Sequence, residues 1–97
     1  MRIIAKGTLR DFWEKHPTAS LLLQVWYKET KKADWKTPND VKAQHGNASI
    51  LGSNRIVFNT EGNNFRLIAA INYVTGIVYI RFIGTHKEHE HIDATTT

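Results

Sequence analysis

A length of 97 residues leaves room for one core, so a single domain spanning 1–97 is expected and a second domain is excluded. Cysteine is absent, which excludes a disulfide framework and suits a reducing cytoplasm. The apolar run after Met1 is far too short for a signal segment or a membrane span. A formal charge of +4 favours an anionic partner, either nucleic acid or an acidic protein surface.

Arg2 to Ala5 is β-branched enough for a short strand, broken by Lys6-Gly7. Thr8 through Asp11 has the spacing of a capping box, with aspartate in place of glutamate, so a helix is expected from Thr8 to the stop at His16-Pro17. Thr18 or Ser20 then caps a longer helix. Its apolar stripe, Leu22, Val25, Trp26, Glu29 and Ala33, recurs at spacings of three and four and is expected to face the core. Lys28, Lys31 and Lys32 gather at its C-terminal end, where helix carbonyls favour cations. They read equally as a solvated face or, with Lys36, as contacts to an RNA backbone. Asn39 or Asp40 caps a short turn that runs to about His45, and Gly46-Asn47 and Gly52-Ser53-Asn54 are turns.

From Asn54 the texture becomes that of strands: Arg55–Thr60, Asn64–Tyr73 and Ile77–Ile83, separated by Glu61-Gly62-Asn63 and Val74-Thr75-Gly76. The expected class is therefore α+β: an N-terminal strand, two helices, then a three-stranded antiparallel meander with the helices packed on one face. Strict alternation puts Ile56, Phe58, Phe65, Leu67, Ala69, Ile71, Val78, Ile80 and Phe82 on the oily face. The other face receives Arg55, Val57, Asn59, Arg66, Ile68, Ala70, Asn72, Ile77, Tyr79, Arg81 and Ile83. Arg66 and Arg81 lie mid-strand, where a purely structural sheet favours Thr or Val. They read as a phosphate site, because a guanidinium fork matches phosphate oxygens and a pair can stabilise a phosphorane-like transition state. The alternative is that they pair with acidic residues or face water.

After the last strand come His86, His89 and His91, whose spacing of three and then two does not share one helical face, and no cysteine assists them. A metal site is not expected there. A single histidine beside an arginine-rich face reads as a general acid or base, or as an exposed surface residue.

Leu9 through Pro17, Lys32 through Lys36, Val57-Phe58-Asn59 with Gly62-Asn63 and Phe65-Arg66-Leu67, and Val78 through His86 together resemble the HigB family of type II toxins, within the wider RelE-like fold. The resemblance covers nearly the whole chain. It implies cleavage of messenger RNA in the ribosomal A site without metal or other cofactor. It also implies neutralisation by a HigA-type antitoxin with a helix-turn-helix domain, through which the complex sits on operator DNA, and no membrane. By the match to family motifs, Arg66 and Arg81 become charge stabilisers, and Tyr79 and His86 become proton carriers, with Tyr79 alternatively stacking on a base. Arg55, Lys87 and His89 join the helix lysines as RNA contacts. The chain departs from the family's His-x-x-Tyr-Asp with His86-Lys87-Glu88-His89-Glu90, so His89 either takes the tyrosine's part or leaves a weaker site. Two other classes compete: a non-cleaving gyrase poison of the ParE type on the same fold, and an RNA-binding module that breaks no bond.

Overall fold

The computed structural model describes residues 1–59 and 65–85. Its elements in chain order are β1 (Arg2–Ile4), α1 (Lys6–Lys15), α2 (Pro17–Lys32), α3 (Pro38–Gln44), β2 (Ser49–Ile50), β3 (Arg55–Asn59), β4 (Phe65–Asn72) and β5 (Ile77–Thr85). The strands form one sheet in the order β1-β5-β4-β3-β2, with β1 parallel to β5 and the remaining pairs antiparallel. This is the expected α+β layout with an added third helix and a short edge strand.

Helix starts differ from the sequence reading. α1 begins at Lys6, before Thr8, whose N–H donates to the Ala5 carbonyl at 3.1 Å, and no side chain caps it. Gly7 interrupts nothing because the N–H groups of a first helical turn have no intrahelical partner in any case. His16-Pro17 does end α1: His16 has φ −126° and ψ 78°, the non-helical backbone that a following proline enforces. The same proline opens α2 as its first residue, which makes His16 the N-cap, not Thr18 or Ser20. α3 is capped by Thr37, not by Asn39 or Asp40. Asp40 closes a capping box instead, its N–H donating to Thr37 Oγ1 at 3.3 Å and its carboxylate accepting from Thr37 N–H at 3.2 Å.

The stripe of α2 is also rotated from the expected one. Ala19, Leu23, Trp26 and Thr30 are buried, whereas Leu22 and Val25 are 38% and 45% exposed. Leu21, Leu22 and Leu23 are consecutive, so periodicity alone leaves open which leucine faces inward. Docking against α1 and β1 decides it. The Met1 amino group assists by donating to the carbonyls of Thr30, Lys31 and Ala33 at the C-terminal end of α2, where a cation is favoured.

On the helix-covered face, Leu9, Leu23, Val41, Ile56, Leu67, Ile71 and Val78 are essentially inaccessible. Each such side chain contributes on the order of 1.5–3 kcal/mol. Trp26, Trp35, His45 and Phe58 form an aromatic group in the same layer, with Trp26–Phe58 and His45–Phe58 ring centroids both 5.2 Å apart. The β3–β4 register pairs Ile56 with Ala69 and Phe58 with Leu67, as alternation expects. In β5 the expectation holds only as far as Ile80. Ile80 pairs with Ala69 and Phe82 with the neighbouring Ile68, leaving Arg81 as an extra residue in a β-bulge. One extra residue exchanges the faces of every side chain beyond it. Ile83, expected outside, therefore packs against the core, and Phe82, expected inside, packs on the opposite face.

Candidate nucleic-acid interface

The face of the sheet away from the helices has a small apolar floor. Val57 and Ile68 are buried there, with Leu51 and Phe82 packed against them. Polar side chains frame it. Tyr79 stands opposite Ala70, and Arg81, lifted by the bulge, is exposed with its guanidinium carbon 5.4 Å from the Tyr79 ring centroid. That is a cation–π distance, and among the described residues Arg81 makes no ion pair. Its planar fork is thus held by the ring while its N–H groups stay open to an incoming anion.

Arg66 belongs to the same face but to its other end. It pairs with Gly84 across β4–β5, four positions along the strand from Ala70, or roughly 13 Å at strand rise, with Phe82 between it and Tyr79. The Arg66 Nη1 group donates to Asn59 Oδ1, and Asn59 Nδ2 in turn donates to the Asn47 carbonyl at 2.6 Å. Asn59 therefore ties the guanidinium to the β2 side of the sheet. It was not among the expected site residues, although an asparagine inside a strand is a signal in its own right, since that residue type is depleted there. Arg55 donates to the Ser53 carbonyl at 2.9 Å beside the β2–β3 turn. β5 ends at Thr85, paired with Phe65 at the Arg66 end of the face. His86, Lys87 and His89, and the turn expected at Glu61-Gly62-Asn63, lie outside the described residues.

The expected lysine contacts do not share this surface. Lys28 and Lys31 line a cleft between α1 and α2, Lys32 is exposed at the end of α2, and Lys36 pairs with Asp34 at 3.0 Å. All belong to the helix layer, across the sheet from Tyr79 and Arg81. Both described histidines also lie on that side, His16 with its ring stacked on Phe12 at 4.2 Å between centroids and edge-on to Phe65. His45 is half-buried between Trp35 and Phe58, and burial pulls its pKa below the ordinary 6.5, against the opposing charge of Glu29.

An exposed arginine stacked on a tyrosine, on a sheet face without helices, suits a phosphodiester, but fold and chemistry alone leave several proteins possible. Comparison with known proteins narrows them. The family model described as HigB_toxin, the RelE-like toxic component of a toxin-antitoxin system, matches residues 19–92. This chain belongs to the HigB family. HigB relatives match along almost their whole length. The mRNA interferase toxin HigB of Escherichia coli strain K12 is 31% identical over 97% of this chain and 92% of its own. The mRNA interferase HigB of Shigella flexneri shows the same 31% and the same coverage. The mRNA interferase HigB of Escherichia coli O6:H1 is 29% identical over 93% of this chain and 89% of its own. The HigB family match takes in Asn59, Arg66, Tyr79 and Arg81 and continues past the last described residue, while β1 and α1 precede it.

Proposed function

We propose that this chain is an endoribonuclease that arrests growth by cutting messenger RNA in the A site of translating ribosomes. It acts in the cytoplasm, needs no metal, and is held inactive by a HigA-type antitoxin, through which the complex sits on operator DNA. The observation that carries the reading is the bulge in β5, which exposes Arg81 beside Tyr79 on the helix-free face in a chain of a toxin family whose relatives are mRNA interferases.

The chemistry is an in-line displacement. The ribose 2′-oxygen forms a bond to the adjacent phosphorus, the bond to the 5′-oxygen breaks, one proton leaves the 2′-hydroxyl and one reaches the departing oxygen. Two negative charges accumulate on the non-bridging oxygens at the midpoint. Arg81, and Arg66 set by Asn59, supply the compensating cations. Tyr79 and His86 are the proton carriers, and His89 is either a second carrier or a stacking surface. Arg55 and Lys87 hold the RNA strand, and the apolar floor around Phe82 excludes water from its path.

Induction in cells followed by mapping of transcript 5′ ends tests the reading: cuts inside translated messages are expected, and they disappear in Arg81→Ala. Intact transcripts with gyrase trapped on DNA would replace it with the ParE-type reading. Ribosome binding with no new ends would leave a binding module.

A further inference from the structure

Among the described residues four buried side-chain polar atoms have no hydrogen-bond partner, and two of them, on Trp26 (Nε1) and His45 (Nε2), belong to residues that line one cleft. Orphaned polar atoms are rare in folded proteins and costly unless something answers them. The cleft has a volume of about 200 Å³, and Leu22, Leu23, Val25, Phe58 and Leu67 form its apolar wall. An apolar cavity of about 150 Å³ holds benzene, so this one suits a six-membered ring with two small substituents.

Charge narrows the ligand further. Although the chain carries +4 overall, neither lysine nor arginine is among the described residues of this wall, and Glu29 is its carboxylate. A phosphate is repelled there, and a neutral or cationic ring is favoured. Trp26 is 8% exposed and its indole N–H can only donate, whereas the Glu29 carboxylate accepts, as does His45 Nε2 when the ring proton is on Nδ1. One acceptor on the ligand and one amino group with two hydrogens satisfy all three. Asn59, which accepts from Arg66, is part of the same wall, so an occupant borders the residue that tethers that guanidinium.

We propose that this cleft is a small-molecule site for an amino-bearing heteroaromatic ring of pyrimidine size, with the edge of acceptor and amine that free cytosine presents. A ring nitrogen or carbonyl oxygen accepts from Trp26 Nε1, and the exocyclic amine donates to His45 Nε2 and to Glu29. The site is across the sheet from Tyr79 and Arg81 and has no cation on its wall among the described residues, so its occupant is a free ring and not a base of the RNA strand.

NMR titration of the full-length protein tests this without ribosomes, so the result stands apart from any result on cleavage. Cytosine should move the Trp26 indole N–H resonance, identified by its loss in Trp26→Phe, and saturate with a Kd of about 1 mM or tighter. The Trp13 indole should stay in place. Uracil, with a carbonyl where cytosine has the amine, should bind at least about 10-fold more weakly, and so should cytidine 5′-monophosphate. Trp26→Phe, followed on the Leu23 and Val25 backbone amides, should weaken cytosine binding by about 3- to 10-fold. Glu29→Gln, altered at an exposed position, should narrow the gap between cytosine and uracil to about 3-fold or less, because an amide donates as well as accepts. If Trp26→Phe unfolds, Glu29→Gln carries the test. No saturable shift below about 10 mM cytosine overturns the site. Equal binding of cytosine and uracil to the parent protein, or affinities unchanged in the variants, overturns the ligand class, and tighter binding of the monophosphate than of cytosine overturns the exclusion of RNA.

Discussion

Arg81 owes its exposure to being the unmatched residue of β5, and its orientation to the ring of Tyr79 two positions earlier. An exposed arginine contributes little to stability, whereas a cation aimed at developing charge is worth several kcal/mol of barrier. Arg81→Ala should therefore lose at least about 100-fold in ribosomal cleavage with an unchanged melting temperature. Arg81→Lys should recover only part, because it keeps the charge and loses the fork. Asn59 accepts from Arg66, and a double-mutant cycle tests whether it serves cleavage through that bond. Asn59→Ala should reduce cleavage by about 10-fold in the parent and add nothing further in an Arg66→Ala background. Additive losses would show that Asn59 does not work through Arg66. A different residue limits stability. Thr30 is fully buried in α2 and its hydroxyl has no partner among the described residues, so Thr30→Val should raise stability by about 1 kcal/mol in urea unfolding.

Among the elements, α3 is the one whose ends are tied most explicitly by side chains. Asp40 accepts from the Lys36 and Thr37 N–H groups while its own N–H reaches Thr37 Oγ1, and at the other end Gln44 Oε1 accepts from Trp35 Nε1 at 3.0 Å. α3 thereby fixes the aromatic group of Trp35, His45 and Phe58 against the sheet. Asp40→Ala should cost about 1 kcal/mol of stability, read as a lower urea midpoint with the same slope, and should spare cleavage. The β2–β3 turn carries a local cost of its own, since Ser53 and Asn54 both have positive φ, 58° and 59°. Asparagine tolerates that region and serine does so less readily. Ser53→Gly should accordingly stabilise the hairpin by a few tenths of a kcal/mol to about 1 kcal/mol.

For the molecule as a whole, acid sensitivity follows from His45. Its folded pKa is depressed by burial, so below 6.5 the unfolded chain binds a proton that the folded chain resists. The stability linked to this group is fully present above pH 6.5 and is lost as the pH falls below it. A melting series from pH 7.5 to pH 5 should show that decline, and His45→Gln should flatten it. Glu29 acts against the shift, so Glu29→Gln should extend the decline to lower pH. At the same scale the sheet divides the molecule, with Tyr79, Arg81 and Arg66 on one side and the helix layer with its lysines on the other. Charge removed from the sheet face should therefore act on cleavage, and charge removed from the helix-layer lysines should spare it.

Much of this was present in the order of residues alone. The α+β class, the hairpin strands and the stop at His16-Pro17 follow from local signals: alternation, turn residues and proline stereochemistry that act within a few positions. The family resemblance rests instead on residue stretches spread over nearly the whole chain, and the family match over residues 19–92 bears it out. Arg66 and Tyr79 could be placed on one face because period-two alternation holds along β4 and, in β5, as far as Ile80, whereas Arg81 is the unmatched bulge residue and joins that face over the Tyr79 ring. Tertiary structure decided the rest. The bulge that moves Phe82 outward and Ile83 inward depends on how β4 and β5 fit side by side, which neither strand encodes alone. Which of three consecutive leucines enters the core was settled by packing against α1 and β1, since the helical period is satisfied by any of them. The separation of the lysines from the arginines has the same origin. A sequence orders charges along a line, and only the folding of helices onto one side of a sheet determines which charges can meet one ligand.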